Sequence, residues 1–347
     1  MYYPDHAVRR IAVLSLFVAA VCCKHEPKRG ALPAPESSVT ASATGSNSAP
    51  PPASSLPPDA GTAAAPATTA EPRGVAPDGQ RYRWLSAENL KFPAPTDSLE
   101  QRFPPPPGYA RVPVLPKSFG EWLRSLPLAA PDTPVVTHAG DPLFQPNDEY
   151  VAAVVAIDVG AGDLQQSADA VVRLHAEWLW STDQLDALNY RSVTKLDLPF
   201  SRWAKGQRLL ASGPNVFWVV KSKPREPTYA DFRQYIDAVM LWTNNVSLAA
   251  RATHVSDPAA LVAGDFFVQA RGKGHAILVL DVAQKPTGER VALLGQALQS
   301  PAQSIHVMRL GRATAWFSLR PPNPVLTPRA DEFSWAELER LESKRAP

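Results

Sequence analysis

The sequence Gly264-Asp-Phe-Phe-Val-Gln-Ala-Arg-Gly-Lys-Gly-His-Ala-Ile-Leu-Val-Leu-Asp281 is expected to lie at the centre of the folded domain. It predicts a turn, a short strand, a glycine-flanked loop and a second strand that opens with His275. Both strands are continuous apolar runs without polar alternation, which indicates strands buried on both faces of a sheet. Gly272 and Gly274 allow close backbone approach beside a lone imidazole, so we expect chemistry at this loop.

Further strands are predicted around this stretch. A turn at Pro286-Thr287-Gly288 leads to a strand from Arg290 to Gly295, which should pair antiparallel with the histidine strand and is closed by Gln296. The apolar, β-branched segment 150–159 predicts an earlier strand, and the segment 304–308 predicts a later one. We interpret Asp281 as the residue that ends the histidine strand. The fold class expected from these elements is α+β, with an antiparallel sheet packed by helices.

The most regular helical pattern runs from Asp163 to Trp180, with Asp163 as N-cap and Gln166 completing a capping box. Ser167 lies beside the apolar stripe, near the positive end of this helix. Polar residues that recur every four positions are expected to form its solvated face: Gln165, Asp169, Arg173 and Glu177.

Three other helices are predicted. A short one should begin after Ser118, because Glu121 follows three residues later as in a capping box. A second amphipathic helix is expected from Tyr229 to Leu248, and a polar helix near the end of the chain, over 333–341.

The N-terminal part of the chain has the layout of an export signal. Two arginines precede an apolar run, 11–21, which ends at Cys22 and Cys23, the chain's two cysteines. We therefore interpret residues 1–23 as a lipoprotein-type signal peptide, with either cysteine as the lipid anchor. Ordinary cleavage and release is the alternative, because Val21 stands where a small residue is usual. The expected location is the cell envelope, anchored to a membrane on the periplasmic or outer-surface side.

The composition indicates that the remainder of the chain has two parts, a tether and a folded domain. The segment 24–85 is rich in Pro, Ala, Ser and Thr, and it buries too little apolar surface to offset its conformational entropy. We predict a disordered tether there and a single α+β domain over 86–347. That domain contains no cysteine, so disulfides, thiol nucleophiles and cysteine metal sites are excluded from it.

Two classes of partner are disfavoured. The net charge is +2, and lysines and arginines are scattered along the chain, so no basic stripe for nucleic acid is expected. His175, His254 and His306 could join His275 and Asp265 around a metal ion, but no two of them have ligand-like spacing on one element. We therefore predict no metal and no cofactor.

Several strings resemble a known family. They are Asp163-Leu-Gln-Gln-Ser-Ala-Asp-Ala, Gly264-Asp265 with Gly274-His275-Ala276 and Asp281, and Gln296 with Ser300-Pro-Ala-Gln-Ser-Ile-His-Val307. Together, from roughly Phe103 to Phe333, they resemble a family of exported bacterial proteins known as domain of unknown function number four-eight-four-six. The family implies no established activity. The resemblance also implies that cysteine is common at the position of Ser167, so this chain departs from the family pattern there.

The order of elements is also similar to that of papain-like cell-wall hydrolases of the NlpC/P60 and CHAP kinds. In those folds the nucleophile begins a helix, a histidine begins a later strand, and a polar residue on the next strand orients the histidine. The resemblance maps these positions onto Ser167, His275 and Gln296. Four neighbouring residues are expected to contribute to a binding cleft: Asp265, Gly274, Gln166 and Gln303.

Each of the three mapped residues has an alternative interpretation. His275 is either a general base or a partly buried histidine satisfied by backbone carbonyls. Ser167 is either a nucleophile activated by a nearby base or a small core residue at a helix start. Gln296 either fixes the imidazole tautomer or only ends a strand. Asp281 lies six residues from His275, roughly 20 Å in extended chain, so it is not expected to orient the ring.

The leading functional hypothesis is a non-catalytic or degenerate papain-like module that binds a cell-wall peptide or peptidoglycan fragment. One alternative is an active hydrolase or transferase that uses Ser167 or a water activated by His275. Another is a structural envelope protein, which would be favoured if Ser167 and His275 were distant in space.

Overall fold

The computed structural model describes residues 78–87, 91–271, 274–311, 314–328 and 332–341. The predicted signal peptide, Cys22, Cys23, most of the predicted tether and Gly272 lie outside the described residues. Tyr82 and Trp84 fall within the segment expected to be a tether, yet both are buried in the core. The packed part of the chain therefore includes residues before the predicted boundary at 86. No helix in the described part of the chain is long and apolar enough to cross a membrane.

The described residues form short strands and six α-helices. The strands are β1 Pro95–Ser98, β2 Ala110–Arg111, β3 Pro127–Ala129, β4 Val135–Val136, β5 Pro142–Phe144, β6 Val151–Val154, β7 Asn189–Arg191, β8 Asp197–Pro199, β9 Gln207–Ser212, β10 Asn215–Val220, β11 Thr253–His254, β12 Phe266–Val268, β13 Ala276–Gln284, β14 Arg290–Gln296, β15 His306–Met308, β16 Trp316–Leu319, β17 Val325–Leu326, β18 Glu332–Phe333 and β19 Leu338–Arg340. The helices are α1 Leu99–Arg102, α2 Phe119–Arg124, α3 Ser167–Ser181, α4 Phe200–Ala204, α5 Tyr229–Trp242 and α6 Asn245–Ala249.

Nine of these strands form the main sheet within the described part of the chain. Its order is β11-β19-β12-β13-β14-β15-β6, with β2 added to the far end of β13 and β16 to the first half of β14. Every pairing is antiparallel. The predicted pairing of the histidine strand with the strand that ends at Gln296 is confirmed. The early strand predicted over 150–159 covers only Val151–Val154.

Strand β13 is buried on both faces, as its continuous apolar run predicted. Leu278 and Leu280 belong to the larger core, which also contains the apolar side of α3, whereas Ile277 and Val279 belong to a second core on the other face of the sheet. The α+β class with an antiparallel sheet is therefore confirmed.

Helix α3 is longer than the other helices and packs on β13, but its polar row was predicted incorrectly as solvated. Arg173 is fully buried and donates to Glu177 at 2.9 Å and to Asp158 at 2.7 Å. Helix α5 covers this side, where Tyr229 donates to Glu177 at 2.8 Å and Arg233 donates to Asp158 at 3.1 Å. Periodicity identified the helix but could not show that a second helix would bury its polar face.

Of the three other helix predictions, the short helix after Ser118 is confirmed as α2, with Ser118 as its N-cap, and the two others need correction. The segment expected to be helical from Tyr229 to Leu248 divides into α5 and α6, because Asn244 caps the second helix by accepting the Ser247 N–H at 3.0 Å. The end of the chain, predicted as a polar helix, instead has a 3₁₀ turn at Trp335–Glu337 followed by β19. Strand β19 pairs with both β12 and β11, so tertiary pairing overrides the local pattern.

Asp281 does not end the histidine strand, as had been predicted, because β13 continues to Gln284. The pairing of β13 with β14 shifts register between Val279 and Asp281, so the strand is irregular at this point but does not end there. The Asp281 carboxylate is fully buried and accepts the Nε–H of Arg111 at 2.6 Å and the Nε–H of Arg124 at 2.8 Å. This ion pair cluster joins β13 to β2 and α2.

We expect Asp281→Asn to lower the free energy of unfolding by about 3 kcal/mol, because two mostly buried guanidinium groups would lose their counter-charge. Urea unfolding followed by tryptophan fluorescence measures this loss. Glu289→Gln is the control, since it removes a carboxylate from an exposed ion pair with Lys285 and should leave the midpoint unchanged. Equal effects of the two variants would contradict a structural role for the Asp281 cluster.

His175 is a buried histidine of the core. Its Nδ1 lies 3.0 Å from the hydroxyl of Tyr190, and its ring packs edge-on against Phe119. Burial, together with the nearby positive charge of Arg251, lowers the pKa of His175 to about 3. The ring therefore stays neutral in the folded protein, whereas it titrates near its ordinary pKa when the chain unfolds.

This difference predicts that stability falls as the solution is acidified below about pH 6.5. There the unfolded state binds a proton that the folded state excludes, so the free energy of unfolding decreases with falling pH by up to about 1.4 kcal/mol per unit. In His175→Phe, the free energy of unfolding should change less steeply with pH, because one fewer proton is taken up on unfolding. Urea unfolding between pH 4 and 7 measures this slope. Identical slopes for His175→Phe and the wild type would contradict the assignment.

Candidate functional site

Ser167 is the first residue of α3. Gln166 occupies the N-cap position, so the prediction that Asp163 caps the helix is wrong. Asp163 instead accepts the backbone N–H of Ala302 at 2.6 Å and the side-chain amide of Gln166 at 3.0 Å. Its carboxylate therefore links the segment before the helix to the loop after β14.

Ser167 has an unusual backbone conformation. Its φ is +23°, which is positive for a residue that carries a β-carbon, and such conformations cost on the order of 1–3 kcal/mol. The Ser167 N–H donates to the carbonyl of Leu298 at 2.9 Å, and its Oγ accepts the N–H of Ala276 at 3.0 Å. The loop after β14 and the first residue of β13 thus hold the serine in place.

The structure brings together the three residues predicted to form the site. Ser167 Oγ lies 3.1 Å from His275 Nδ1, although 108 positions separate them in the chain. His275 Nε2 lies 2.7 Å from Gln296 Oε1. All three side chains are buried, with exposed fractions of 6%, 4% and 7%. His275 immediately precedes β13, and Gln296 is the last residue of β14, as predicted.

A fourth side chain, His306 on β15, orients the series. Its Nδ1 lies 3.4 Å from the carbonyl of Ser304, which can only accept a hydrogen bond, so in a neutral ring that nitrogen carries the proton. His306 Nε2 then accepts from Gln296 Nε2 at 3.2 Å. This fixes the Gln296 amide with its oxygen toward His275, whose Nε2 must donate. His275 Nδ1 is therefore the acceptor that faces the Ser167 hydroxyl.

Asn245 is a site residue that sequence reasoning missed. Its Oδ1 lies 3.3 Å from Ser167 Oγ, and its Nδ2 donates to the carbonyl of Gly274. The carbonyl of Gly274 also accepts from Gln299 at 2.8 Å. These contacts fix the residue before His275. A signal existed in the Thr243-Asn244-Asn245 run, because adjacent asparagines inside a predicted amphipathic helix favour a cap over continued helix.

Gly274 is required at its position by close packing. A β-carbon there would lie 1.7 Å from the carbonyl oxygen of Gln269. The N–H of Gln269 in turn donates to the carbonyl of His275 at 2.8 Å. The loop between β12 and β13 is therefore narrow at its base, as the glycine pattern predicted.

A cavity of about 270 Å³ opens at Ser167. Gly274 and Gln166, two of the predicted binding residues, line it together with Ser167. Most of its other polar lining consists of amide side chains, from Asn244, Asn245, Gln269 and Gln299. Because an amide offers both donors and an acceptor, these walls can bind ligand groups of either kind.

Two ionisable side chains also line the cavity. Arg271 is exposed at the loop between β12 and β13. Asp169 lies within the first turn of α3, where its carboxyl accepts the N–H of Gln166 at 3.3 Å and the hydroxyl of Thr243 at 3.2 Å. Burial raises the pKa of Asp169 well above its ordinary range, and these two hydrogen bonds oppose the rise. The cavity therefore combines an exposed cation with a buried carboxyl.

The other two predicted binding residues lie elsewhere, which corrects their assignment. Asp265 is fully buried, and its carboxylate accepts the Nη2–H of Arg340 at 2.8 Å and the N–H of Val262 at 2.8 Å. It ties β19 to the turn before β12. Gln303 is fully buried, and its amide donates to the carbonyl of Pro301 at 3.0 Å. Neither residue lines the cavity. Both side chains instead form hydrogen bonds within the fold.

The histidines do not gather into a metal site among the described residues, where no three His, Cys, Asp or Glu side chains are grouped to hold an ion. His254 Nδ1 lies 3.0 Å from the carbonyl of Leu338, far along the sheet from the cavity. The arrangement that does assemble is a hydroxyl, an imidazole that accepts its proton, and an amide that orients the imidazole. These are the parts that nucleophilic acyl transfer requires.

Comparison with known proteins gives one match. A search of curated proteins and a search of solved structures each found no match, so the papain-like similarity stays a prediction. A model of the family described as a domain of unknown function (4846) matches residues 99–340, which is more than half of the chain and contains all of the site residues. This protein therefore belongs to the domain of unknown function (4846) family.

Proposed function

We propose that the cavity at Ser167 binds an amide-containing ligand, such as a cell-wall peptide or peptidoglycan fragment, in a papain-like site where a hydroxyl replaces the thiol. The observation that carries this proposal is the continuous hydrogen-bonded series from Ser167 through His275 to Gln296 at the wall of a polar cavity. As part of the proposal, the N-terminal signal and Cys22 or Cys23 place the protein at the envelope, held by a lipid anchor.

The lining of the cavity supports a peptide-like ligand. Peptide groups present donors and acceptors side by side, and the amide side chains of the walls present the same pair of groups. Arg271 offers a bidentate partner for a ligand carboxylate. Asp169, a carboxyl at the cavity wall whose pKa is raised by burial, offers oxygen atoms that can accept a ligand N–H. A cell-wall stem peptide carries all of these complementary groups.

Loss of activity would follow from the serine itself. A thiol paired with imidazole ionises near neutral pH, but a serine hydroxyl needs its proton removed during attack. Gln296 is neutral and stabilises an imidazolium less than a carboxylate does in a Ser-His-Asp site. The exchange of thiol for hydroxyl thus preserves the hydrogen-bonded geometry while lowering reactivity, which favours binding without turnover.

A second candidate, an active hydrolase or acyltransferase, is favoured by one observation. His275 Nδ1 is the acceptor facing Ser167 Oγ at 3.1 Å, as general-base catalysis requires. In that reaction Oγ would bond to the ligand carbonyl carbon while its proton moves to Nδ1. The imidazolium would then protonate the leaving amine as the C–N bond breaks, and water would hydrolyse the resulting ester. The hypothesis of a structural envelope protein lacks the separation of Ser167 and His275 that would have favoured it.

Binding and turnover can be separated with labelled stem peptides and the full-length protein. We expect calorimetry to detect binding by the wild type and equal affinity, within about twofold, for Ser167→Ala, with no product from either by mass spectrometry. Arg271→Ala should weaken binding about tenfold, because a charge-assisted hydrogen bond to the peptide carboxylate contributes roughly 1.5–3 kcal/mol.

The matched control is Lys91→Ala, an exposed cation outside the cavity lining, which should leave affinity unchanged. Turnover by the wild type that His275→Ala abolishes would contradict the binding-only proposal and support the hydrolase. An absence of both binding and turnover would contradict both candidates.

A thiol placed at Ser167 reports whether the site is preorganised for nucleophilic chemistry. In a chain with Cys22→Ser and Cys23→Ser, we expect Ser167→Cys to react with iodoacetamide with a pH midpoint of about 7.5 or lower, below the ~8.5 of an unperturbed thiol. The cause is the adjacent imidazole, since an imidazolium stabilises the thiolate. Alkylation rates measured from pH 5 to 10 give the midpoint.

The comparison thiol is Ser256→Cys, at an exposed position, which should titrate as an ordinary cysteine. Adding His275→Ala to Ser167→Cys should move the midpoint back toward that value. A thiol at 167 that titrates normally with His275 present would contradict a papain-like origin for the site.

A further inference from the structure

One segment of the chain carries positive charge without acidic residues. Between Leu198 and Arg225 there is no Asp or Glu, although the whole chain has a net charge of only +2. The cationic residues of this segment are Arg202, Lys205, Arg208, Lys221, Lys223 and Arg225. Six cations minus the three nearest acids, Asp197, Glu226 and Asp231, leave a local balance of +3. The scattered charge expected from the whole sequence is therefore concentrated here.

The same segment forms a hairpin of β9 and β10 that is separate from the main sheet. Leu210 and Phe217 face each other in its register and are 43% and 39% exposed. The next pair toward the base, Leu209 and Trp218, packs against the core instead. One face of the hairpin is thus held by the domain, while the other presents apolar side chains outward.

The base of this hairpin is fixed and its cations lie around it. The indole N–H of Trp218 donates to the carbonyl of Asp197 at 3.1 Å, and the Arg202 guanidinium lies 5.9 Å from the indole centroid. Lys205, Lys221 and Lys223 are exposed beside the strand ends, and Val220, at the end of β10, is 75% exposed. Apolar side chains therefore project from a hairpin whose base carries exposed positive charge.

We propose that the β9–β10 hairpin, residues 207–220 with its flanking cations, docks onto an anionic lipid surface. Lys205, Lys221 and Lys223 would face the headgroups, and Leu210 and Phe217 would insert into the interfacial region. Charge attracts the hairpin to the surface and apolar insertion retains it there. Exposed cations together with exposed apolar side chains favour lipid over nucleic acid. Nucleic acid phosphates would pair with the cations but would leave Leu210 and Phe217 exposed.

This inference is independent of the function proposed for the cavity. None of the hairpin residues lines the cavity at Ser167. A membrane-bound orientation would complement the lipid anchor expected at the N-terminus, since a basic apolar patch and an acyl chain are additive membrane signals.

The test uses the full-length chain with Cys22→Ser and Cys23→Ser, so that no acyl group contributes. Flotation with mixed phosphatidylglycerol and phosphatidylcholine vesicles measures partitioning, and pure phosphatidylcholine vesicles serve as the neutral surface. We expect stronger binding to the anionic vesicles, and weakening between about 0.1 and 0.5 M salt as charges are screened. Lys221→Glu with Lys223→Glu should reduce partitioning about tenfold or more, and Leu210→Ser with Phe217→Ser by a comparable factor.

The matched control is Lys91→Glu with Arg320→Glu, which makes the same change in net charge at exposed positions outside the hairpin. It should retain wild-type partitioning, and near-ultraviolet circular dichroism should show that every variant is folded. Equal partitioning of the wild type and both hairpin variants would overturn the proposal. Salt-sensitive binding to a DNA duplex would also overturn the proposal if the Leu210→Ser and Phe217→Ser changes did not alter it. That result would show that the cations bind nucleic acid without help from the apolar side chains.

Discussion

Strand β13 is buried on both faces, and the packing of the other core elements follows from that burial. A strand in that position needs one layer on each side, and the chain supplies α3 on one side and the second core on the other. Since α3 lies across β13, their first residues meet, and the N–H of Ala276 donates to Ser167 Oγ. The site is thus a consequence of how the longest helix and the longest strand of the described residues pack, and it forms where both begin.

The hydrogen-bond series shows how a neutral group can orient an imidazole. A carboxylate would fix the His275 tautomer by charge, but Gln296 can face either way and needs a partner of its own. His306 provides that partner, and the carbonyl of Ser304 fixes His306. The direction of the whole series therefore depends on the carbonyl of Ser304, which three side chains, those of His306, Gln296 and His275, connect to the Ser167 hydroxyl. This arrangement is compatible with binding as well as with catalysis, because orientation alone does not supply the stabilisation that an ionic partner gives.

Charged groups in the domain are separated by role. The buried ones, around Asp158 and Asp281, pair arginines with carboxylates and join elements distant in sequence. The exposed cations of the β9–β10 hairpin have few acids nearby and lie beside outward-facing apolar side chains. A charge that holds the fold together is desolvated and paired, whereas a charge that meets a partner stays solvated until contact. In this domain, burial and pairing therefore separate the charges that stabilise the fold from the exposed cations of the hairpin.

Local sequence patterns were enough to predict the sheet's central strands, their antiparallel pairing and the helix that packs on them, because continuous apolar runs and glycines at a narrow loop are local signals. The grouping of Ser167, His275 and Gln296 came instead from the resemblance to papain-like hydrolases. Long-range packing was needed to show that the polar row of α3 is buried, that Asp281 lies inside its strand, that β19 replaces a predicted helix, and that Asn245 contacts Ser167. Each of these depends on a partner remote in the chain, and periodicity within one element carries no information about what will cover it.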